Sequence, residues 1–410
     1  MLSIAQVYGA QGEHFARFQA LKNQFLKEFG AAPEGYFSSP GRCEIIGNHT
    51  DHNGGKILAA SINMDTIGAA ARNRSCEVHL LSEGYPPLTL SLAQLEDTPK
   101  CAGTRSLLAG ICRGFLNLGF SLSGFDACLS TNVIRAAGVS SSASFEMMLC
   151  AIINHLFCGG RATMTQCAMI GKYAENVYWN KQCGLLDEMA CASGGVIRLD
   201  FRNADAPDCA AVDFDFSARG YALVLVNTGK GHADLSREYS EIPAEMQRVA
   251  HALGVTRLVE TDRAALLANL SQVRAAAGDR AVLRALHFFA ENERVDRAYQ
   301  AMRQNDMPSL LSLLRASGAS SWQLLQNCCA ADPAEQSVPL MLALSEEFLR
   351  QIGDGCCRVH GGGFAGTILC VLPQDQLAAY RAYMAQFVAP EQIYPLQIRP
   401  YGAVQLDPAL

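Results

Sequence analysis

The chain has 410 residues, of which 50% are apolar and 18% are charged, a composition typical of a globular protein with a large core. Its length predicts two or three domains. The net charge of -6 argues against a nucleic-acid partner or an anionic membrane surface, because both call for basic residues.

The sequence shows no sign of export or of membrane insertion. No apolar run looks long enough to span a bilayer, and the N-terminal stretch "MLSIAQVYGAQGEHFARF" reads as an amphipathic helix rather than a signal peptide. The sixteen cysteines are scattered without a CxxC pair, which favours their use as small apolar residues over a zinc site or a disulfide framework. We therefore expect a cytoplasmic protein.

The hydrophobic pattern predicts a mixture of helices and strands that does not alternate regularly. In chain order we expect a helix over 1–30, a strand, polar loop and strand over 43–71, strands at 76–82 and 88–93, a helix at 103–119, a strand at 124–134, helices at 142–157 and 165–179 and after Leu186, strands at 195–201 and 221–228, a helix-rich part up to Arg350, and then a glycine-rich segment over 356–372, a helix and a short strand. Irregular alternation favours an α+β fold in two lobes over a doubly wound parallel sheet. The turn-rich segment 202–210 suggests a boundary, so we divide the chain into residues 1–212 and 213–410.

The first loop that could carry chemistry lies in "GRCEIIGNHTDHNGG", residues 41–55. A short apolar run ends at Gly47, and six polar side chains follow before two more glycines. A loop between two strands holds such side chains on rigid supports, where binding residues are often found.

The second loop is "VIRAAGVSSSASFEMM", residues 133–148. Small residues and three serines precede a helix, whose first N–H groups have no intrahelical partner and attract anions. The loop could bind phosphate, or a serine could simply cap a core helix. It is not a Walker A loop, because no Gly-Lys-Ser/Thr closes it.

Two further segments are less specific by themselves. Gly361, Gly363 and Gly366 fit G-x-G-x-x-G, but they lead into a strand-like run rather than a helix, which weakens a nicotinamide-dependent dehydrogenase as an interpretation. Glu175 and Asp187 lie in otherwise apolar surroundings, and Asp187 could be no more than an early-turn carboxylate favoured by a helix dipole.

In order and spacing these segments resemble the GHMP small-molecule kinases, and specifically the galactokinase family, over nearly the whole chain. "PGRCEIIGNHTDHNGG" is similar to the galactokinase signature, "GVSSSAS" to the family's phosphate loop, and "CGLLDE", "GGGFAG" and "LSREYS" to three later motifs. The resemblance implies an N-terminal lobe like domain 2 of ribosomal protein S5 and a ferredoxin-like C-terminal lobe.

The resemblance also implies a role for each matching residue. Asp187 matches the catalytic base and Arg42 the arginine beside it, while Ser142 and Glu175 match the two ligands of Mg²⁺. The sugar-binding positions and the ATP-binding positions that match are, respectively, Asn48, His49, Thr50, Asp51, Gly184 and Tyr239, and Ser82, Ala136, Ala137, Gly138, Val139, Ser140, Ser141 and Ser142. A sugar is a ring of hydroxyls, and recognising it takes many directed donors and acceptors, which would explain the polar loop.

The chain departs from the family pattern at several positions. Asn48 stands where galactokinases carry Glu, His52 replaces Tyr, Glu188 replaces Gln beside the base, and Ala136 and Ala137 replace glycines of the phosphate loop. An asparagine donates as well as accepts, so sugars altered at the exocyclic carbon become candidates. A second carboxylate at position 188 could raise the pKa of either neighbour unless it points away.

We therefore expect an ATP- and Mg²⁺-dependent kinase that phosphorylates the anomeric hydroxyl of a hexose, foremost D-galactose. The alternatives are a 1-kinase for a related sugar, such as galacturonate, arabinose, fucose or an amino sugar, and a non-catalytic sensor of sugar and ATP. The expected partners are the sugar and ATP alone, with no nucleic acid and no membrane, and the expected assembly is a monomer or a weak homodimer.

Overall fold

The two-lobed α+β arrangement is confirmed by the computed structural model, which describes residues 1–9, 12–101, 103–134, 138–180, 183–204, 206–229, 235–330 and 332–407. The α-helices of the described residues are α1 Ile4–Tyr8, α2 Gly12–Phe29, α3 Thr104–Asn117, α4 Ser141–Cys158, α5 Met164–Tyr173, α6 Leu186–Ser193, α7 Ser236–Ala252, α8 Arg263–Ala268, α9 Leu270–Ala277, α10 Asp279–Arg303, α11 Met307–Ser320, α12 Ser337–Ile352 and α13 Leu377–Met384. The strands are β1 Gly35–Ile46, β2 Lys56–Arg72, β3 Glu77–Ser82, β4 Leu88–Ser91, β5 Phe125–Thr131, β6 Val196–Asp200, β7 Asp208–Val212, β8 Tyr221–Asn227, β9 Cys356–His360, β10 Thr367–Pro373, β11 Ile393–Leu396 and β12 Val404–Leu406.

The strands form two sheets. The first has eight strands in the order β12-β1-β2-β5-β3-β4, with β6 paired to β2 and β7 paired to β6. The second has the order β11-β8-β10-β9, and all of its pairs are antiparallel. The first sheet thus takes the strands before residue 213 together with the last strand of the chain, while the division at residue 212 stays a prediction.

The long hairpin of β1 and β2 places the polar loop. Its register shifts between Pro40 and Arg42 and again between Glu44 and Ile46, so the strand bends as it approaches the loop. We predicted a strand only from residue 43, because the Gly, Ser and Pro residues of "GYFSSPG" disfavour strand formation. The structure extends β1 back to Gly35, where partners on both sides satisfy its backbone.

Other predicted boundaries also shift. The predicted helix over 1–30 is interrupted, since α1 ends at Tyr8 and Gly9 adopts a positive φ of 74°. The segment 202–210, predicted as turns, contains the start of β7, which pairs with β6 from Asp208 onward. The predicted helix at 165–179 is α-helical to Tyr173 and then continues as a π-helical segment, Ala174–Trp179.

Helix α4 is the core helix of the first lobe. Met147, Met148, Leu149 and Ile152 lie in one hydrophobic cluster with residues of β2, β3, β5 and α3. Among the described residues it is the one helix long and apolar enough to cross a membrane by length and composition, which corrects the expectation that no segment is. Buried residues make up 61% of it, and core helices of globular domains commonly meet that criterion, so the match is weak evidence for a membrane span.

Candidate active site

The centre of the candidate site is an ion pair between Arg42 on β1 and Asp187 near the start of α6. Arg42 donates from Nε to Oδ1 of Asp187 at 2.8 Å, and its Nη2 lies 2.6 Å from the same oxygen. The Arg42 side chain is 8% exposed, whereas that of Asp187 is 35% exposed. Burial acts to lower the pKa of Arg42, but the neighbouring carboxylates of Asp187 and Glu44 raise it above its usual value. The arginine therefore stays charged, and the carboxylate remains open to a ligand.

The predicted phosphate loop lies directly against this pair. The backbone N–H of Arg42 donates to the carbonyl of Val139 at 3.1 Å, and its guanidinium donates to the carbonyl of Gly138. The Ser140 hydroxyl donates to Oδ2 of Asp187, and Ser140 adopts a left-handed conformation just before α4. We call the described part of this loop, residues 138–142, the serine loop; it orients the Asp187 carboxylate and leads into α4. The predicted residues Ala136 and Ala137 lie outside the described residues.

A polar cavity of about 250 Å³ opens over Asp187. Of the predicted site residues, the cavity gathers Arg42, Asn48, His49, Asp51, Ser142, Glu175, Gly184, Asp187 and Tyr239. These residues come from both halves of the chain. Two of these residues, Gly184 and Asp51, pack directly against each other, because a Cβ at position 184 would collide with the Asp51 carboxylate.

A second, more apolar cavity of about 590 Å³ lies on the other side of the serine loop. Its walls include the predicted residues Ser82, Ser141 and Ser142 together with Tyr85, Pro86, Phe145 and Trp179. Ser142 lines both cavities, so the N-terminus of α4 stands between them. A polar pocket and an apolar, aromatic pocket meeting at a helix N-terminus suit a polyhydroxylated ligand, a planar base and the phosphates between them.

Two neighbouring carboxylates, those of Glu175 and Glu188, line the polar cavity together with Ser142. Oxygen atoms of Glu175 and Glu188 and the Cys183 thiol all lie within 4.8 Å of one another, and Glu175 occupies the π-helical segment. Hydroxyl and carboxylate oxygens are the ligands that Mg²⁺ prefers, so Ser142 and Glu175 fit the predicted metal. Glu188, flagged for its place beside the base, lies in this group and accepts from the Cys183 thiol at 3.9 Å.

Two of the predicted sugar-binding residues bond mainly to the protein itself. Thr50 is buried, its hydroxyl lies within hydrogen-bonding distance of the carbonyls of Gly47 and Lys56, and it does not line the described cavity. Asn48 donates to the carbonyl of Gly361 at 2.7 Å and to the Glu44 carboxylate, and it accepts from Asn327 at 2.7 Å. Its role as a sugar contact stays a prediction.

Two further predicted sugar contacts, His49 and Tyr239, also bond to the glycine-rich segment of the second lobe. His49 Nε2 lies 2.9 Å from the Gly362 carbonyl, and burial lowers the pKa of His49 to about 4. The Tyr239 hydroxyl donates to the Gly363 carbonyl at 2.8 Å, and burial raises its pKa. The glycine-rich segment thus packs against predicted sugar-binding residues and leads into strand β10, not into a helix as a dinucleotide fingerprint would.

Comparison with known proteins agrees with this geometry. A family model described as the galactokinase galactose-binding signature matches residues 23–72, and one described as the GHMP kinases N-terminal domain matches residues 106–195. The galactokinase of Clostridium tetani is 27% identical over 367 residues, covering 88% of this chain and 90% of the relative. That of Lactococcus lactis (strain IL1403) is 28% identical over 414 residues, covering 96% of this chain and 98% of the relative. The crystal structure of Lactococcus lactis galactokinase complexed with galactose superposes with a TM-score of 0.82 at 27% identity, covering 95% of this chain and all of that one.

The chain is thus similar to galactokinases over nearly its whole length, and it matches the N-terminal domain of the GHMP kinases. Within the family fold, several buried polar residues support the site and were missed by the sequence reasoning. They are Glu44, His287, Glu291, Asn327 and Arg358, all at most 2% exposed except Glu44 at 3%. Glu44 pairs with Arg358 at 3.0 Å, and Glu291 accepts from the backbone of Gly47 at 3.1 Å. The available signal was a charged or amide residue within an apolar stretch, as at "CEII" and "CCRVH".

Proposed function

We propose that this galactokinase-family protein transfers the γ-phosphoryl group of ATP to the anomeric hydroxyl of D-galactose, giving galactose 1-phosphate and ADP. The observation that carries the proposal is the Arg42–Asp187 pair in the polar cavity. The serine loop lies beside this pair and between the polar and the apolar cavities. The galactokinase relatives and the superposition on a galactose-bound galactokinase support D-galactose over the related sugars.

Asp187 would act as the base. The anomeric hydroxyl loses its proton to the Asp187 carboxylate while its oxygen forms a bond to the γ-phosphorus, and the bond from that phosphorus to the bridging oxygen of ADP breaks. Arg42 and Ser140 bind different oxygens of the carboxylate, so its orientation is set before the sugar arrives. Such positioning supplies much of the rate in phosphoryl transfer, which has little covalent chemistry for the protein to perform.

Arg42 would stabilise the charge that develops during transfer. Its guanidinium is almost completely buried, and electrostatic interactions are stronger where water is excluded. Bonds to Asp187 and to the Gly138 carbonyl hold it between the base and the serine loop. The positive charge is therefore fixed in place and needs no rearrangement during the reaction.

The nucleotide would lie across the serine loop. Residues 136–142 and the N-terminus of α4 would bind its phosphates, and the apolar cavity with Ser82 would take the base. Ser142 and Glu175 would hold Mg²⁺, which neutralises phosphate charge when bound. A cytoplasmic location and a monomer or weak homodimer stay predictions from the sequence.

The test is turnover of galactose by the wild-type protein and by Asp187→Asn. We expect the wild type to release ADP and form galactose 1-phosphate, detected by ³¹P NMR. Asp187→Asn should lower kcat by about 10²–10⁴-fold, the usual contribution of a general base, while both ligands still bind. The matched control is Asp375→Asn, because Asp375 is an exposed aspartate in a surface turn of the second lobe.

Two results would contradict the proposal. Binding of both ligands by the wild type without ADP release would make the protein a sugar and ATP sensor. Unchanged turnover in Asp187→Asn would show that Asp187 is not the base, and catalysis would then depend on Arg42 and the metal alone.

A further inference from the structure

Three consecutive carbonyls of the second lobe each accept a hydrogen bond from a predicted sugar-binding side chain. We call residues 361–363 the triple-glycine loop. Asn48 Nδ2 lies 2.7 Å from the Gly361 carbonyl, His49 Nε2 lies 2.9 Å from that of Gly362, and the Tyr239 hydroxyl lies 2.8 Å from that of Gly363. The loop therefore contacts three side chains of the predicted sugar site, two from the loop between β1 and β2 and one from α7.

These contacts dictate which atoms remain for a ligand. A carbonyl only accepts, so His49 must carry its proton on Nε2, and Nδ1 of the neutral ring is left as an acceptor. Likewise the Tyr239 hydroxyl uses its proton on Gly363, so its oxygen can only accept from any other partner. Both residues line the cavity, and both would accept from a sugar hydroxyl.

Asn48 differs because the protein already uses its whole amide. Its two N–H groups are matched by the Gly361 carbonyl and by the Glu44 carboxylate, at 3.1 Å and 3.3 Å from the two oxygens of the latter. Its Oδ1 accepts from Asn327 at 2.7 Å and lies 3.5 Å from the Ser321 hydroxyl. The residue is 1% exposed. An asparagine has two donor hydrogens and two acceptor lone pairs, and all four are occupied.

The triple-glycine loop is also fixed from its other side. The Asn327 side chain donates to the Gly362 carbonyl at 3.1 Å. The backbone carbonyl of Asn327 accepts from the backbone N–H of Phe364 at 2.5 Å. A side chain at position 362 would collide with the Tyr239 ring. Asn48, Asn327 and Tyr239 thus contact the loop from different sides.

We propose that the triple-glycine loop is the positioning element of the sugar site, and that Asn48 anchors this loop instead of contacting the substrate. The inference rests on the proposed function, because the sugar cavity defines what the loop positions. It assigns Asn48 and Asn327 as positioning residues that act through His49 and Tyr239.

The first experiment needs no sugar. Hydrogen–deuterium exchange at the amides of Phe364 and Ala365 is compared in the wild type and in Asn48→Ala, Asn327→Ala and the double variant. We expect at least tenfold faster exchange in each single variant, with the double variant no faster than the faster single one, because both side chains hold one loop. Unchanged exchange, or effects that multiply, would overturn the anchor.

The second experiment measures KM separately for galactose and for ATP. Both single variants should raise KM for galactose at least tenfold and change KM for ATP less than twofold. Asn48→Asp keeps the shape and the acceptor but sets oxygens against the Gly361 carbonyl and Glu44, so we expect it to lose as much as Asn48→Ala. If Asn48→Asp keeps the wild-type KM for galactose, residue 48 contacts the sugar directly and the inference is wrong.

The control is Asn154→Ala, which removes an amide that bonds the backbone of Ala162 through both its oxygen and its nitrogen at the far end of α4. It should leave both KM values unchanged. If Asn48→Ala does not fold, Asn327→Ala removes the same link from its other end and decides the question. If the wild type does not phosphorylate galactose, the proposed function fails, and the exchange measurement still decides whether Asn48 anchors the loop.

Discussion

Three histidines near the site, the buried His287 and His360 and the half-buried His49, make hydrogen bonds that fit the neutral ring. His360 accepts from the backbone N–H of Glu44 at 3.1 Å, which a protonated ring nitrogen could not do. His49 and His287 donate from Nε2 to the carbonyls of Gly362 and Asn48, each at 2.9 Å. Burial lowers the pKa of all three, to about 4 for His49.

Because these histidines resist protonation in the folded state, we expect acid to destabilise the protein at a higher pH than titration of its carboxylates alone would. An unfolded histidine takes up a proton near pH 6.5, whereas these stay neutral in the folded state, so the unfolded state binds more protons below that pH. The free energy of unfolding should therefore fall as the pH drops from 7 to 5. Each such histidine adds up to about 1.4 kcal/mol per pH unit to the slope.

The measurement is urea unfolding at several pH values between 5 and 7. His287→Gln removes one of the three groups and should make the slope shallower, whatever it does to stability at pH 7. His251→Gln changes an exposed histidine at the end of α7 and serves as the control. Equal slopes for the wild type and His287→Gln would show that His287 is protonated in the folded protein.

At the scale of elements, α10 of the second lobe holds the polar loop between β1 and β2 through two side chains. Glu291 accepts from the Gly47 backbone at 3.1 Å, from Arg294 at 2.6 Å and from Ser317. One turn earlier, His287 donates to the Asn48 carbonyl. Although burial acts to raise the pKa of Glu291, the positive charges of Arg294 and Arg358 and the hydrogen bond from Ser317 lower it, so the carboxylate stays charged.

Removing the Glu291 carboxylate should both destabilise the fold and make the polar loop more mobile. Glu291→Ala leaves Arg294 without its partner and Gly47 without its acceptor, and breaking a buried ion pair costs about 3–5 kcal/mol. We expect the free energy of unfolding to fall by that amount and KM for galactose to rise, as measured by urea unfolding and steady-state kinetics. Glu293→Ala, an exposed change on the same helix, should stay within about 0.5 kcal/mol of the wild type. A comparable loss in Glu293→Ala would point to α10 itself rather than to the Glu291 contacts.

Elements and loops with local signals could be predicted from sequence, whereas the contacts between distant segments could not. The serine loop and α4 follow from small residues before an apolar helix, and the polar loop from its glycines. The bond between Asn48 and Asn327 joins residues 279 positions apart and depends on how the lobes pack. For the same reason the sequence does not show why asparagine stands at position 48, whereas the structure would set a glutamate carboxylate there beside Glu44.

At the scale of the whole molecule, the two lobes share a core and a chain end. One hydrophobic cluster combines Ile45, Ile46 and Leu58 of the first sheet with Leu225 and Leu369 of the second. The last strand, β12, returns to pair with β1 of the first sheet. The lobes therefore cannot separate without exposing apolar surface and an unpaired strand edge, and the polar cavity, whose walls come from both lobes, would be divided with them.

Such a shared core predicts that the lobes unfold together, and the chain offers a direct way to test this. It contains two tryptophans, Trp179 in the first lobe and Trp322 in the second, where Trp322 is 44% exposed. Trp179→Phe and Trp322→Phe each leave one fluorescent reporter, and both should give the same urea midpoint after correction for each variant's stability by circular dichroism.

Leu406→Ala, in the buried last strand, should lower the free energy of unfolding by about 2–5 kcal/mol and shift both reporters equally. Leu340→Ala, at a site 55% exposed, should shift neither. Two separate midpoints, or a Leu406→Ala shift confined to Trp179, would mean that the lobes are independent units and that the cavity between them can open without global unfolding.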